Sequence, residues 1–225
     1  MMPSSLKTKE EQAYEKLKSL ILAGELPRNQ FLSQRMLADK AGTNITTIRT
    51  ALRQLESDDL VENVPRWGVR IPIETEDVVR DRYFVRELLE VGVVRRIITR
   101  RDSGTLDAAG IAEKAKLCDA IAKESPKDID KFFRAHFDFH LELAKQSGSP
   151  LLMLSLSRIH FKSIMLGNAR RAWAQGSPVN HVRIVDVILN ANESTAVEAI
   201  VSHIHQGLEG ELQTLRGELA EPAAS

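Results

Sequence analysis

The chain has almost no cysteine, and it lacks any hydrophobic run long enough to span a membrane. Cys118 is the single cysteine among 225 residues, so an intramolecular disulfide framework is excluded and a reducing compartment is favoured. Crossing a bilayer takes about 20 consecutive apolar residues, and no segment approaches that length. Residues 1–24 carry too many charges for a secretory signal peptide. These absences predict a cytoplasmic protein that does not enter a membrane.

The chain also lacks a net charge, although one segment of it is basic. Lysine and arginine together number 31, which equals the 31 aspartate and glutamate residues. Between Arg28 and Glu56, five basic residues stand against two acidic ones. The basic residues of this segment and of the next one are Arg28, Arg35, Lys40, Arg49, Arg53, Arg66 and Arg70. Because salt screens exposed charges beyond about 10 Å, this local excess can attract an anionic partner although the total charge is zero.

Residues 34–55 have the pattern of two short amphipathic helices joined by a tight turn. Ala38 is small enough for the helices to cross closely, Gly42 permits the turn, and Ile48 falls on the buried face of the second helix. The polar residues of that second helix are Thr46, Thr47, Arg49 and Arg53. Groups of this kind reach phosphates and base edges when such a helix lies in the major groove. The segment therefore predicts a DNA-binding helix-turn-helix.

The elements around this motif complete a winged helix. A first helix is predicted from Glu10 to Ala23, where Gly24 ends it. Two short strands are predicted at residues 60–64 and 69–71, with turn residues between them. The linker that follows, residues 72–75, separates a winged helix-turn-helix domain (residues 1–75) from a second domain (residues 76–225).

The second domain is predicted to be entirely helical. Helical periodicity fills residues 76–101, 105–124, 127–147, 150–172, 178–190 and 193–217, without a convincing strand. Six helices joined by short loops favour an antiparallel bundle. The predicted fold class is therefore mainly α, with an N-terminal winged helix-turn-helix and a C-terminal six-helix bundle.

Histidine is confined to the predicted bundle, where all six histidines lie between residues 136 and 205. His136 and His140 are four residues apart and share an apolar helical face. His181 lies on the apolar stripe of a second helix and His203 on that of a third, whereas His205 points elsewhere. Four inward imidazoles can be hydrogen-bonded core residues, or they can form a site for a transition metal. The pattern alone leaves both interpretations open.

Two groups of residues carry a resemblance to a known family. In the N-terminal segment they are Ala13-Tyr14, Leu17, Ile21, Gly24-Glu25-Leu26, residues 32–38, residues 48–56 and Trp67-Gly68-Val69-Arg70. In the bundle they are residues 85–90, Phe139-His140, residues 147–150, His181 and His203. The first group resembles the winged helix of the GntR family of bacterial transcription factors. The second is similar to the ligand-binding FCD domain of the FadR subfamily, and six helices rather than seven resemble its shorter, VanR-like branch.

This resemblance implies contacts with double-stranded operator DNA. The implied contact residues are Arg35, Thr46, Thr47, Arg49 and, in the wing, Gly68. Many members have arginine where this chain has Ile45, and proline where it has Thr47. The cation missing at position 45 removes a possible bidentate guanine contact, so we expect an operator that differs from the usual family site.

The resemblance also implies a metal site. The usual FCD ligands are one aspartate, a histidine four residues later and two further histidines. His140, His181 and His203 match the histidines, while His136 occupies the aspartate position. A set of four nitrogen ligands favours zinc or nickel over magnesium or calcium.

A small organic acid is the effector that the resemblance implies. Arg86 is its predicted partner, because an arginine can hold a carboxylate through two hydrogen bonds. The alternative is that Arg86 pairs with Glu90 on the next helical turn.

The combined prediction is a homodimeric transcriptional regulator, in the commoner direction a repressor, that a small carboxylate metabolite releases from DNA. One alternative is a metal-free regulator that binds an effector of the acyl-CoA type. The other is a metalloenzyme built on the bundle. Asp138 and Glu142 lie beside the histidines but off the inward face, which leaves an enzyme without a well-placed base.

Overall fold

The computed structural model describes residues 7–28, 30–72, 74–124, 128–166 and 180–220, and the chain divides into two compact units between Glu74 and Thr75. Within those ranges, helices dominate both units, and one two-stranded sheet lies in the first. The predicted fold class, mainly α with a winged helix-turn-helix before a helical bundle, is confirmed. No helix in the described ranges is both long enough and apolar enough to span a membrane.

The N-terminal unit consists of three helices and a β-hairpin. Helix α1 is Lys9–Leu22, α2 is Gln34–Ala41 and α3 is Ile45–Ser57. Strand β1 (Glu62–Val64) pairs antiparallel with β2 (Gly68–Arg70). The sequence prediction included Leu60 and Val61 in the first strand, but they are buried in the core before β1 begins.

Local side-chain chemistry sets where these helices begin and end. Thr8 and Glu11 form a reciprocal capping box at the start of α1. Ser33 and Asn44 cap α2 and α3 by accepting a hydrogen bond from a backbone N–H of the first turn. Gly42 ends α2 at a φ of 65°, a left-handed conformation that glycine adopts without steric cost. The turn between α2 and α3 is therefore specified by Gly42 and Asn44.

The hairpin is tied to the start of α2 by a bridge between Leu32 and Val69. The Leu32 N–H donates to the Val69 carbonyl at 2.6 Å, and the Val69 N–H donates to the Leu32 carbonyl at 3.0 Å. Gly68 approaches so closely that a Cβ there would lie 2.7 Å from the Leu32 carbonyl oxygen. Its φ of 110° is also one that other residues rarely adopt. The attachment of the wing therefore requires glycine at this position.

The C-terminal unit is a bundle of helices. They are α4 (Glu76–Asp102), α5 (Ala109–Ile121), α6 (Ile129–Gln146), α7 (Pro150–Leu166), α8 (His181–Asn190) and α9 (Glu193–Ala220). The two longest, α4 and α9, pack along each other, while α6 packs on α5 and α7, and α8 packs on α5 and α9. Their shared core includes Ile97, Phe139, Leu143, Ile200 and Leu212. The six predicted helices are present with ends moved by a few residues, and the parts predicted at 167–172 and 178–179 lie outside the described residues.

Gly68→Ala is expected to destabilise the N-terminal unit by about 2 kcal/mol or more, because the new Cβ meets the Leu32 carbonyl at an unfavourable φ. Gly24→Ala is the matched control, since Gly24 also has a positive φ, 71°, but nothing lies within 4 Å of its added Cβ. That change should cost about 1 kcal/mol. Chemical denaturation of the full-length protein measures both losses, and equal losses would contradict the close approach at Gly68.

Candidate metal centre and nucleic-acid interface

Four histidines from three helices of the C-terminal unit converge on one point. His136 and His140 lie one turn apart on α6, His181 is the first residue of α8, and His203 lies in α9. One ring nitrogen from each lies within 4.8 Å of those of the other three. The Nε2 atom of His140 is 3.2 Å from that of His136 and 3.4 Å from that of His203. The structure thus brings together the four residues of the predicted cluster, which we call the histidine cluster.

Glu90 of α4 orients the imidazole of His140 through its Nδ1 atom. Its Oε2 lies 2.8 Å from the Nδ1 of His140, and its Oε1 accepts a hydrogen bond from the Nε of Arg86 at 2.6 Å. All three side chains are buried. A carboxylate at Nδ1 favours the tautomer that carries the proton there, so the Nε2 lone pair of His140 faces the other histidines.

Asp119 of α5 has the same role for His181. Its Oδ1 lies 2.8 Å from the Nδ1 of His181, and its two oxygens accept the backbone N–H groups of His181 and Val182 at 3.0 Å each. Burial would raise the pKa of Asp119, but these hydrogen bonds hold that pKa below its ordinary value. The buried Nε2 of His181 has no hydrogen-bond partner among the described residues. An imidazole nitrogen held in this way, close to three others, suits a metal ligand.

Burial favours the neutral form of the other two histidines, His136 and His203. Desolvation first, and then the neighbouring imidazoles, lower the pKa values of His136 and His203 well below the ordinary value of 6.5. Neutral imidazole is the form of histidine that binds a metal. Four imidazole nitrogen donors fit zinc or nickel, whereas magnesium and calcium prefer oxygen.

The carboxylates that flank His140 in sequence do not reach the histidine cluster. An oxygen of Asp138 lies 3.5 Å from the Nζ of Lys114. Glu142 accepts a hydrogen bond from the side-chain amide of Gln146 at 2.8 Å. Helix α6 therefore supplies candidate ligands, but neither of these acids is placed as a general base.

The sequence left two roles open for Arg86, as the partner of an effector carboxylate or as the partner of Glu90. Arg86 forms the ion pair with Glu90, yet its Nη2 also lies 3.2 Å from the Nε2 of His140. Its guanidinium carbon is 5.5 Å from the centre of the Tyr83 ring. Arg86 thus pairs with Glu90 and presents one nitrogen to the histidine cluster, and its role as the effector's partner stays a prediction.

A surface groove between α8 and α9 borders the histidine cluster at His203. Its volume is about 410 Å³, and His203 lines it. The polar residues that also line it are Asn180, Arg183, Thr195, Glu198, Ser202 and Gln206. Because His203 borders both the groove and the cluster, a small polar molecule in the groove would lie beside the imidazoles.

In the N-terminal unit, three of the predicted DNA-contacting side chains are exposed. They are Arg35 on α2, and Thr46 and Arg49 on α3. The Nε of Arg49 donates to the side-chain oxygen of Gln34 at 2.9 Å, which joins α3 to the start of α2. Ile45, the first residue of α3, is 43% exposed and presents an apolar side chain at the surface.

The side chain of Thr47, which the resemblance implies as a DNA contact, is buried. Only 5% of Thr47 is accessible, and its hydroxyl donates to Glu10 of α1 at 3.4 Å. Thr47 lies four residues before Ala51 and eight before Leu55, so it shares the buried face of α3, the helix that packs against α1. A direct DNA contact by Thr47 would require its hydroxyl to leave Glu10, and that contact stays a prediction.

Sequence reasoning missed Asp119 altogether and considered Glu90 only as a partner for Arg86. Asp119 and His181 are 62 residues apart on different helices, and no spacing rule connects them. A weak signal was nevertheless present. Ile111, Ala115 and Asp119 follow one another at intervals of four residues, so they share one helical face, and the first two are buried. An acid on an otherwise buried row points to a buried partner.

Comparisons with known proteins give a family match for each of the two units. Residues 9–71 match the family described as bacterial regulatory proteins, gntR family, and residues 81–206 match the FCD domain. Over 150 residues the chain is 29% identical to an uncharacterised HTH-type transcriptional regulator in an unstable DNA locus of Streptomyces ambofaciens, a match that covers 66% of this chain and 60% of that one.

Two further similarities involve proteins of Escherichia coli. The HTH-type transcriptional repressor GlaR is 27% identical over 150 residues, which cover 65% of this chain and 66% of GlaR. The matches to the two curated relatives thus span less than two thirds of their lengths. The solved structure of McbR/YncC superposes with a TM-score of 0.67 at 17% identity, over 92% of this chain and 99% of that one, and shows the same fold.

Glu90→Gln is expected to destabilise the C-terminal unit by about 3 kcal/mol, because Arg86 would keep a buried charge without its ionised partner. Glu87→Gln is the matched control on the same helix. Glu87 also meets a histidine, His205, at 2.7 Å, but this pair lies at the surface. Its loss should cost less than about 1 kcal/mol. Chemical denaturation in a metal-chelating buffer measures both, and a small loss for Glu90→Gln would contradict the role given to the buried pair.

Proposed function

Since the chain belongs to the gntR family of bacterial regulatory proteins and carries an FCD domain, we propose that it is a repressor that a small carboxylate metabolite releases from its operator. Membership makes it a DNA-binding transcriptional regulator rather than an enzyme. In the proposal, residues 1–75 bind DNA and residues 76–225 bind the effector. The convergence of four histidines supports the proposed effector domain. The repressor role is proposed because the relative GlaR is named a transcriptional repressor.

The proposed ligands are the Nε2 atoms of His136, His140, His181 and His203, and the proposed ion is zinc or nickel. Two of these imidazoles are held through Nδ1 by the carboxylates of Glu90 and Asp119. His136 stands where the family usually has an aspartate, which removes one negative charge from the donor set. Four neutral ligands leave the double positive charge of the ion uncompensated at the centre, and this favours an anionic effector.

Arg86 is the proposed partner of the effector's carboxylate. Its Nε is held by Glu90, while its Nη2 faces the Nε2 of His140 at 3.2 Å. When His140 acts as a metal ligand, its lone pair can no longer accept a hydrogen bond from Arg86. The Nη2 group then has a hydrogen bond to offer to a carboxylate oxygen beside the cluster.

The groove between α8 and α9 is the proposed entrance for the effector. Its volume of about 410 Å³ lies within the usual range for small-ligand pockets. The hydroxyl, amide and charged side chains along it suit a hydrophilic acid better than the long apolar chain of an acyl-CoA. The lining therefore supports the carboxylate and disfavours the metal-free alternative.

A row of ion pairs runs along the α4–α9 contact, from the histidine cluster toward the start of α4. Arg82, one turn before Arg86, donates to Glu211 of α9 at 2.5 Å, and both side chains are buried. Further along, Glu76 accepts two hydrogen bonds from Arg216, at 2.8 and 2.9 Å. We infer that a movement of Arg86 toward the effector disturbs this row. Because α4 begins at Glu76, the disturbance reaches the segment that joins the two units.

The proposal includes a homodimer, because an operator with two-fold symmetry offers two half-sites to two recognition helices. Exposed apolar side chains on α4 and on the neighbouring α7 are candidates for the contact between two copies. They are Phe84 and Leu88 on α4, and Leu151 and Leu154 on α7. Helices α4 and α7 pack side by side in one unit, so these side chains can contribute to one self-complementary surface.

Protein purified without a nickel column and then stripped is expected to bind about one zinc ion per chain, because the four imidazoles complete a closed site. Asp119→Asn should weaken zinc binding by about 10- to 100-fold, since His181 would lose the group that orients it. His136→Asp should retain binding, because aspartate can also serve as a ligand. Metal analysis after dialysis and competition with a chromophoric chelator measure these effects.

His205→Ala is the control for the metal experiment, because His205 is an exposed histidine on α9 that contacts Glu87 rather than the cluster. Its zinc content and affinity should equal those of the wild type. Wild-type protein that takes up less than about 0.3 zinc per chain would contradict the metal site. Release from DNA by an acyl-CoA without any metal would then favour the metal-free regulator.

Arg49→Ala is expected to weaken operator binding by about 1–3 kcal/mol, because Arg49 is an exposed cation on the recognition helix. The probe is a duplex selected from random-sequence DNA by the wild-type protein, and affinity is measured at one fixed salt concentration. Lys116→Ala, which removes an equal charge from the exposed side of α5 in the C-terminal unit, should leave affinity within about twofold. Unchanged binding by Arg49→Ala would show that α3 does not read DNA through this residue.

A further inference from the structure

The ring nitrogens of the histidine cluster have the spacing of a closed tetrahedral centre. The Nε2 of His140 lies 3.2 Å from that of His136 and 3.4 Å from that of His203, and one nitrogen from each of the four residues lies within 4.8 Å of the others. Nitrogen ligands about 2.0–2.1 Å from a zinc ion stand about 3.3–3.4 Å apart in a tetrahedron. The cluster therefore needs only small movements to enclose an ion, and it needs no ligand from an organic acid.

Arg86 uses the lone pair that such an ion needs. Glu90 lies 2.8 Å from the Nδ1 of His140, so the proton of the neutral imidazole is on that side and the lone pair is on Nε2. The Nη2 of Arg86, which can only donate, lies 3.2 Å from this Nε2. Because one lone pair cannot accept that hydrogen bond and bind an ion at the same time, Arg86 and a metal ion compete for His140.

The charge of the cluster intensifies this competition. Histidine adds no negative charge to a metal centre, and His136 stands where the resemblance implies an aspartate. A divalent ion bound by four imidazoles keeps its double positive charge, and it would repel the guanidinium of Arg86 strongly because little water separates buried groups. The Nε of Arg86 is bound to Glu90 at 2.6 Å, so the guanidinium yields at Nη2. An aspartate at position 136 would offset part of that charge and reduce the repulsion.

A displacement of the Arg86 guanidinium reaches the contact between α4 and α9. Its carbon lies 5.5 Å from the centre of the Tyr83 ring. Tyr83 packs so closely on α9 that a Cβ at Gly207 would lie 3.2 Å from its hydroxyl oxygen. One turn before Arg86, Arg82 pairs with Glu211 of α9, and both side chains are buried. The guanidinium is therefore next to two of the groups that hold α9 against α4.

We propose that Arg86 makes this regulator responsive to the metal ion itself. Its Nη2 leaves His140 when a transition-metal ion takes the Nε2 lone pair, and operator binding weakens without any organic acid. The inference rests on the proposed function, in which a movement of Arg86 precedes release from DNA, and it goes further by making the ion a signal rather than a fixed part of the effector domain. The ion and the acid then act through the same arginine.

Operator affinity in zinc-buffered solutions tests this inference. The probe is a duplex selected from random-sequence DNA by the metal-free wild-type protein, and affinity is measured by the anisotropy of labelled DNA at one salt concentration. Zinc sufficient to load one ion per chain should weaken binding by about fivefold or more, as is usual for coupled sites. Because such coupling is reciprocal, competition with a chromophoric chelator should show that the duplex lowers zinc affinity by the same factor.

His136→Asp tests the role of charge at the centre. This variant should still bind zinc, because aspartate is also a zinc ligand, but zinc should change its operator affinity by about twofold or less. His205→Ala, which removes an exposed histidine of α9 outside the cluster, is the matched control and should respond to zinc as the wild type does. Magnesium at the same free concentration should leave wild-type affinity unchanged, because magnesium prefers oxygen ligands.

Three results would contradict the inference and leave the proposed metal site intact. The wild type could bind one zinc ion per chain while its operator affinity stays within about twofold. His136→Asp could lose as much operator affinity to zinc as the wild type does. Zinc could weaken operator binding equally in His203→Ala, which lacks one of the four ligands, and the effect would then arise outside the cluster. Zinc uptake below about 0.3 per chain would instead contradict the proposed metal site together with this inference.

Discussion

The carboxylate of Glu90, buried between Arg86 and His140, is the interaction on which the geometry of the helical unit depends. One oxygen accepts from the guanidinium of Arg86 and the other meets the Nδ1 of His140. A buried carboxylate is several kcal/mol less stable than a hydrated one unless such partners surround it. Because each oxygen has its own partner, neither Arg86 nor His140 can turn away without exposing a charge to an apolar core. The Nε2 lone pair of His140 is thereby directed at the other three histidines.

The same constraint organises one side of α4. Arg82, Arg86 and Glu90 follow one another at intervals of four residues, so they form a charged row on a helix whose neighbouring positions, such as Val79 and Val93, are buried and apolar. Each charge in the row is paired, with Glu211 at one end and His140 at the other. Electrostatic interactions in this low-dielectric setting are stronger than at the surface. An anion that attracts Arg86 would therefore act on several buried pairs at once, and not on one side chain.

Much of the fold follows from local patterns, but the partners of the site residues do not. The spacing of His136 and His140 places both on one helical face, and the apolar stripes around His181 and His203 place these inside the bundle as well. Asp119 could not be assigned to His181, because the contact depends on how α5 and α8 pack. The partner of Thr47 has the same origin. The period of α3 places Thr47 on the buried face with Ala51 and Leu55, but its hydrogen bond to Glu10 depends on how α1 packs against α3. Periodicity identifies the inward face of a helix, whereas the neighbour on that face is a property of the assembled unit.

The first turn of the recognition helix differs from the pattern that is common in the family. Ile45 presents an apolar side chain where an arginine is common, so the first turn of the recognition helix lacks one cation. Arg49 remains, and its hydrogen bond to Gln34 restrains the guanidinium before DNA arrives, which lowers the entropic cost of placing it. That same segment continues through Leu32 to the wing, so the positions of Arg49 and of the wing tip are mechanically linked. The exposed cations Arg35 and Arg49 lie on the two helices that this segment joins, so they are the groups placed together beside the apolar position 45.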